Sequence, residues 1–112
     1  MSRIYKHDGT VSSALITSDS AEVVALHLIN SGASDLWVFL NNTNFVIAED
    51  EASFLPFYLP AGSFLFLDST YFKMDDAIQF SSGLSIGISS TFSTYTAHGT
   101  PSEILGHIIY NK

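Results

Sequence analysis

Several features that many proteins carry are missing or scarce in this sequence. It has no cysteine, which excludes a disulfide framework, thiolate metal sites and thiol catalysis. It has no apolar run of 18 residues and no apolar segment near its N-terminus, so we expect neither a transmembrane helix nor a signal peptide. Charged residues make up 13%, about half the usual share, whereas hydrophobic residues make up 46%. This composition argues against disorder, a coiled coil and a solvated helical bundle. Because we expect neither a signal peptide nor a transmembrane helix, we expect a protein of the cytoplasm or of a particle assembled there.

Positive charge is especially scarce. Four basic residues stand against eleven acidic ones, which gives a formal net charge of −7. Arg3, Lys6 and Lys112 lie near the two ends of the chain. Residues 7–111 therefore contain one Lys or Arg, Lys73, and all eleven carboxylates. Binding to nucleic acid or to an anionic membrane needs several Lys or Arg side chains on phosphates. We therefore expect neither nucleic acid nor a membrane as a partner.

The chain has the length of one domain, and its apolar residues come in short runs separated by turn residues. The runs cover residues 14–17, 22–30, 35–41, 54–59, 64–67, 71–74, 77–80, 84–92 and 104–110. Short runs at a spacing of roughly ten residues are typical of a β-sandwich or barrel. We predict an all-β fold, a single antiparallel β-sandwich of about eight strands with jelly-roll-like character. The domain spans residues 1–112, with residues 1–12 as a flexible N-terminal arm.

Two segments carry helix signals that compete with this prediction. Residues 100–103 read Thr-Pro-Ser-Glu, which is a helix start, but β-branched residues and Gly106 follow and the chain soon ends. Asp19 and Glu22 could cap a helix over the next apolar run, yet that run is nearly continuous, as in a strand covered on both faces. We predict strands for both runs and leave the helices as alternatives.

The strand at residues 84–92 alternates most clearly. Its apolar residues share one face, and Ser85, Gly87 and Ser89 share the other, which has so little bulk that another strand or subunit could lie close to it. The runs at residues 23–29 and 35–41 are instead apolar on both faces. One small core should not hold all of this apolar area, and exposed apolar patches usually mark interfaces. We therefore expect an oligomer held by apolar burial.

Sequence motifs for metal binding, catalysis or phosphate binding are weak or absent. No histidine pair has metal-ligand spacing, although His27 and His107 would be neighbours if their strands paired, and a loop carboxylate could then complete a metal site. Acidic residues at 49–51 and 75–76, with Asp68 between them, could bind Ca²⁺, but solvated loop charges explain them more simply. No nucleophile or phosphate-binding motif is present. We predict no enzyme activity, no catalytic residues, no cofactor and no metal.

One small-molecule site has some support from the aromatic residues. Trp37, together with Tyr58 or Tyr71, could stack on a pyranose ring. A core position for Trp37, between Leu36 and Val38, is the simpler interpretation. A glycan-contacting surface therefore stays open as an alternative.

The order of turns and strands resembles a known group of proteins. The matching segments are Val-Ala-Leu-His-Leu-Ile-Asn (24–30), Ser-Gly-Ala (31–33), Asp-Leu-Trp-Val-Phe-Leu (35–40), Leu-Pro-Ala-Gly (59–62), Ile-Gln-Phe (78–80) and Ser-Gly-Leu-Ser-Ile-Gly-Ile-Ser (82–89). This pattern, over about residues 22–110, resembles small β-sandwich virion proteins of tailed bacteriophages. The chain departs from it in a longer acidic connection at 48–53 and a Phe-rich middle.

The resemblance implies a capsid decoration (cement) protein, a homotrimer that binds the phage major capsid protein on the outside of the head in the virion. The alternatives are a tail-associated or receptor-binding module that contacts glycans, and a small β-barrel enzyme or metal-binding cupin-like domain. An acidic body suits basic patches of a capsid lattice, and the basic arm suits a contact with a neighbouring subunit. The predicted interface residues are Arg3, Lys6, Val23, Ala25, His27, Trp37, Phe39, Ser85, Gly87 and Ser89.

Overall fold

Eight antiparallel strands form two sheets in the computed structural model of the chain, which describes residues 2–73 and 80–112. The strands are β1 (Ser2–His7), β2 (Ser13–Thr17), β3 (Glu22–Asn30), β4 (Leu36–Asn41), β5 (Leu55–Leu59), β6 (Phe64–Leu67), β7 (Leu84–Ser89) and β8 (Ile104–Asn111). A short helix, α1 (Ser69–Lys73), follows β6, and a single 3₁₀ turn (Pro101–Glu103) precedes β8.

The strand order identifies the topology. The first sheet has the order β1-β8-β3-β6 and the second sheet the order β2-β7-β4-β5. The chain crosses from one sheet to the other at nearly every connection, and only β4 and β5 are consecutive strands of one sheet. Two four-stranded sheets connected in this way form a jelly roll. The predicted all-β sandwich of about eight strands is therefore confirmed.

The core lies between the sheets and follows the period-two pattern of the strands. Leu26 and Leu28 of β3 face Ile86 and Ile88 of β7 across this core, and all four side chains are fully buried. Asn30 is a buried polar residue at the end of β3, and its amide donates to the Ser34 and Leu59 carbonyl oxygens at 2.8 and 3.2 Å. These hydrogen bonds offset the cost of burying the amide and fix the connection into β4.

The N-terminus differs from the expected flexible arm. Ser2–His7 forms β1, which pairs with β8 in a continuous antiparallel register from Ser2↔Asn111 to His7↔Gly106. Without β1, the backbone groups of β8 would form an open sheet edge, which is unfavourable unless it is covered or paired. The prediction of a free arm is therefore wrong for residues 2–7.

Two other predicted elements have different outcomes. The strand expected at residues 71–74 is wrong for residues 71–73, which belong to α1, and residue 74 lies outside the described residues. The Asp68 carboxylate accepts hydrogen bonds from the backbone N–H groups of Thr70 and Tyr71 at the start of this helix. Of the strand expected at residues 77–80, residues 77–79 lie outside the described residues, and Phe80 pairs with Ala21 in an isolated bridge. The last run is a strand, as predicted, and its helix signal corresponds to the 3₁₀ turn with Pro101 at its start.

Candidate functional site

The outward side of the first sheet is apolar and open to solvent. We call it the apolar face. Its side chains are Ile4 and Lys6 of β1, Ala25, His27 and Ile29 of β3, Phe64 and Phe66 of β6, and Leu105, His107 and Ile109 of β8. Phe64 and Ile4 are the most exposed, at 68% and 67% of their surface, and Phe66 follows at 58%. A patch of this size and composition on one sheet is typical of a surface that another molecule covers.

The register places a row of polar and aromatic side chains across the middle of this face. Lys6 is the register partner of His107, His107 of His27, and His27 of Phe66. The two imidazole rings lie edge to face with centroids 5.5 Å apart, and His27 makes the same kind of contact with Phe66, also at 5.5 Å. The second and last apolar runs pair as β3 and β8, so the condition under which the two histidines would be neighbours is met.

The histidine pair does not extend to a metal site in the described part of the chain. No group of three or more His, Asp or Glu side chains converges there. Two carboxylates of the acidic segment 49–51 accept backbone hydrogen bonds: Glu49 accepts from the Ala97 N–H and Glu51 from the Ala48 N–H, both at 2.9 Å. Asp75 and Asp76 lie outside the described residues.

Part of the outward side of the second sheet, over β4 and β7, is covered by the chain itself. Phe39 of β4 packs against Ile47, from the loop after β4, and Tyr95, from the loop after β7. These three side chains form a second buried cluster. A Cβ atom added at Gly87 would lie 2.9 Å from the Tyr95 ring and 3.1 Å from Ile47. The small side chains of β7 therefore allow close approach to this face, as expected. The group that approaches it is the Tyr95 ring of the same chain, not another strand or subunit.

Serine side chains anchor the covering loops to the same strand. The Ser85 hydroxyl donates to the Phe45 carbonyl oxygen at 2.6 Å, and the Ser89 hydroxyl donates to the Thr91 carbonyl oxygen at 2.8 Å while accepting from the Thr96 N–H at 3.0 Å. These bonds satisfy the buried hydroxyls and hold both loops against β7.

The predicted interface residues fall into two groups. Arg3, Lys6, Ala25, His27 and Trp37 are exposed or half-buried. The others are buried within the single chain and do not reach its surface: Val23, Phe39, Ser85, Gly87 and Ser89. Val23 belongs to the core between the sheets, and the covering loops hide the rest.

Five strongly exposed side chains of the apolar face were not among the predicted interface residues. They are Ile4, Ile29, Phe64, Phe66 and Leu105. The signal was present at Phe64 and Phe66, because both alternate with leucines in one four-residue strand. A strand with bulky apolar residues at every position necessarily presents half of them outward.

A second surface feature joins three aromatic rings beside the covered cluster. Trp37 of β4 lies 4.9 Å from Tyr58 of β5 and 4.7 Å from Phe92, with ring planes inclined by 43° and 64°. Tyr58 and Phe92 are about half exposed, and we call the three rings the aromatic cradle. The interaction with the Asp35 carboxylate raises the pKa of the Tyr58 hydroxyl. Tyr71, the alternative partner for Trp37, packs instead against Phe57 and Phe72.

Among the residues that the structure describes, His98 and Glu103 form a close pair of titratable side chains, with Nε2 and Oε1 2.8 Å apart. The nearby Ser12 hydroxyl donates to the backbone carbonyl oxygen of His98 and not to its ring. A nucleophilic serine needs its hydroxyl within hydrogen-bond reach of the imidazole. The pair therefore acts in this structure as a link between the loop after β7 and the turn before β8.

Comparisons with known proteins give no relative from which a role could be taken. No family model matches the chain, and neither the curated proteins nor the solved structures contain a significant match. Within residues 2–73 and 80–112, no helix has the length and apolar character needed to cross a lipid bilayer.

Proposed function

We propose that this chain is a non-enzymatic structural subunit of a virion, a decoration protein that assembles as a homotrimer and binds the outside of a phage head. The observation that carries the proposal is the apolar face, an uncovered hydrophobic surface on one sheet of a jelly roll. The order of turns and strands, which resembles that of phage virion proteins, supports the virion setting.

The free energy gained by burying the exposed side chains supports a contact that covers most of the apolar face. The five strongly exposed side chains of the apolar face are 46–68% exposed. Fully burying one such side chain is worth about 1.5–3 kcal/mol, so covering all five favours association by about 4–9 kcal/mol per chain. Association costs roughly 4–15 kcal/mol in lost translational and rotational freedom. The two magnitudes are comparable, so the face favours assembly only when most of it is covered.

The charge distribution supports a capsid as the partner. The net charge of −7 suits basic patches of a protein lattice and gives no affinity for packaged DNA. Arg3 and Lys6 remain candidates for a lattice contact, because both are exposed on β1 at the edge of the first sheet. Since β1 belongs to the sheet, deleting it would open the edge of β8, and point substitutions are the appropriate test.

The test is the addition of purified protein to undecorated capsids of a tailed bacteriophage, followed by measurement of DNA release on heating. We expect saturable binding and a higher release temperature, because a ligand of the assembled state stabilises it by mass action. Arg3→Gln should weaken binding if it contacts the lattice. Absence of binding to capsids at micromolar protein would contradict the decoration role.

The aromatic cradle favours a second candidate function, a glycan-contacting module of a tail. A pyranose ring can pack its C–H face on Trp37 and Tyr58 while its hydroxyls donate to the Asp35 carboxylate, which is exposed beside them. Trp37 is the one tryptophan of the chain, so its fluorescence reports directly on this surface.

The cradle is tested by titrating glucose, galactose, N-acetylglucosamine and their short oligomers while following Trp37 fluorescence. A glycan site predicts a saturable change that Tyr58→Phe and Phe92→Ser weaken and that Phe66→Ser on the opposite sheet leaves intact. If none of these sugars gives a saturable change, the glycan function is contradicted.

A further inference from the structure

The middle of the apolar face carries histidines where a buried contact would be expected to carry apolar residues. His27 and His107 are direct register partners on β3 and β8, and their rings touch edge to face at 5.5 Å. Both side chains are only half-buried in the single chain. Any molecule that covers the five exposed apolar side chains of the face must also cover this pair, because the pair lies between them in the sheet.

Within the described residues, the side chains next to His27 and His107 on the neighbouring strands include no carboxylate that could balance a positive charge on these rings. On β1, Lys6 is the register partner of His107, and on β6 the neighbours of His27 are Phe64 and Phe66. Helix α1 approaches β3 from the core side, where Phe72 is buried.

The nearest carboxylates by sequence stand at strand ends. Asp8 follows β1, Glu22 begins β3 and Asp68 follows β6, and all three are exposed. Glu103 directly precedes β8, but its carboxylate is paired with His98, with Oε1 and Nε2 2.8 Å apart. In the described part of the chain, neither imidazole has a carboxylate within ion-pair distance. A proton on either ring would therefore add to the charge of Lys6 without a compensating partner.

We propose that a second copy of this chain covers the apolar face and that protons on His27 and His107 control this self-association, with assembly near pH 8 and release in acid. The proposal rests on the proposed function, since it takes the apolar face to be the contact between subunits.

The distribution of charge along the sheet edges favours another copy of the chain as the occupant. Lys6 lies on the β1 edge of the first sheet, and Asp68 directly follows β6 at the opposite edge. A neighbouring copy whose β6 edge lies against β1 brings these opposite charges together, and this arrangement can close into a ring of subunits. In a closed ring with the outward side of each first sheet toward its axis, the exposed apolar side chains between the two edges face those of the neighbouring copies and become buried.

Protonation opposes this contact for two reasons. An imidazolium ion loses its hydration when an apolar surface covers it, and two such ions with ring centroids 5.5 Å apart repel one another. Histidine side chains ordinarily change their charge between pH 5 and 8. Each proton that must leave before association lowers the association constant by up to tenfold per pH unit in the acid range, so two histidines give up to about 100-fold per pH unit for each chain.

The experiment is sedimentation velocity of the full chain at a series of pH values from 8 to 5.5, with circular dichroism to confirm the fold at each value. We expect oligomers at pH 8 and monomers at the acid end. In the double variant His27→Gln/His107→Gln, which carries no titratable group at the pair, the oligomer should persist over this range. His98→Gln is the matched control, because it removes a histidine outside the apolar face and should dissociate like the parent.

A second variant tests the proposal without acid, which also acts on the buried His7. His27→Arg fixes a positive charge at the pair and should give monomers at pH 8, whereas His27→Gln stays assembled. If the parent is oligomeric at every pH, or if His27→Arg assembles like the parent, proton control is overturned while the assembly surface stands. If the parent is monomeric throughout at micromolar concentration, the assembly surface itself is overturned.

Discussion

Replacing Phe66 with serine should disrupt assembly and leave the fold intact. Phe66 is 58% exposed on β6 and points away from the core. Full burial of such a side chain is worth up to about 3 kcal/mol, so covering the exposed part of Phe66 contributes about 1.5 kcal/mol per subunit. In a trimer three such terms add to roughly 4–5 kcal/mol, which is a factor of about a thousand in the overall association constant.

The assay is sedimentation equilibrium at pH 8 over a range of protein concentrations. A thousandfold change in a trimer constant raises the midpoint concentration by roughly thirtyfold, because that midpoint varies as the square root of the constant. Phe92→Ser is the matched control: Phe92 is 54% exposed but lies in the aromatic cradle beside the second sheet. Equal effects of the two substitutions, or no effect of Phe66→Ser, would refute the assignment of the assembly contact to the apolar face.

Three further predictions concern stability. Gly87→Val should lower the free energy of unfolding by about 1–3 kcal/mol in a denaturant titration, because its side chain would overlap the Tyr95 ring 2.9 Å from the added Cβ; an unchanged midpoint would show that the covering loop moves freely. Asn30→Ala should cost about 1–3 kcal/mol, since the Ser34 and Leu59 carbonyl oxygens lose their donor, and a smaller loss in thermal unfolding would mean that water replaces the amide. Burial lowers the pKa of His7, and the nearby Asp8 carboxylate only partly opposes this shift. The unfolded chain then binds the proton more readily, so the free energy of unfolding should fall as the pH drops below about 6.5 and level off below the folded-state pKa. His7→Gln should flatten this dependence in urea titrations, and an equal slope in both proteins would contradict it.

The sequence predicts the strands wherever the local pattern alone determines them. The alternation of Leu84, Ile86 and Ile88 predicts the strand β7, although covering loops bury its second face as well. Pro60-Ala61-Gly62 turns the chain between β5 and β6, with Gly62 at φ 69°. β1 has no comparable pattern, since Arg3, Lys6 and His7 interrupt its apolar residues. Its strand character comes from pairing with β8, more than a hundred residues away in the chain.

The exposure of the apolar face was less predictable than the strands. The alternation of residues in a strand does not show whether other parts of the chain cover its outward side. The runs of β3 and β4 are apolar on both sides, and the sequence treats them alike. In the structure, the loop residues Ile47 and Tyr95 cover Phe39 of β4, whereas the outward side of β3 stays open. Loop packing of this kind depends on contacts between distant segments, which no local periodicity records.

Site-specific labelling shows directly whether other copies of the chain cover the apolar face. Because the chain has no cysteine, Leu105→Cys on the apolar face and Val46→Cys on the loop after β4 each introduce a single thiol at a site about half exposed. At pH 8 and at concentrations where sedimentation shows an oligomer, a maleimide should react slowly at Leu105→Cys and rapidly at Val46→Cys. Dilution to monomers should make the two rates similar. Equal rates at both sites in the assembled protein would contradict coverage of the apolar face by other copies.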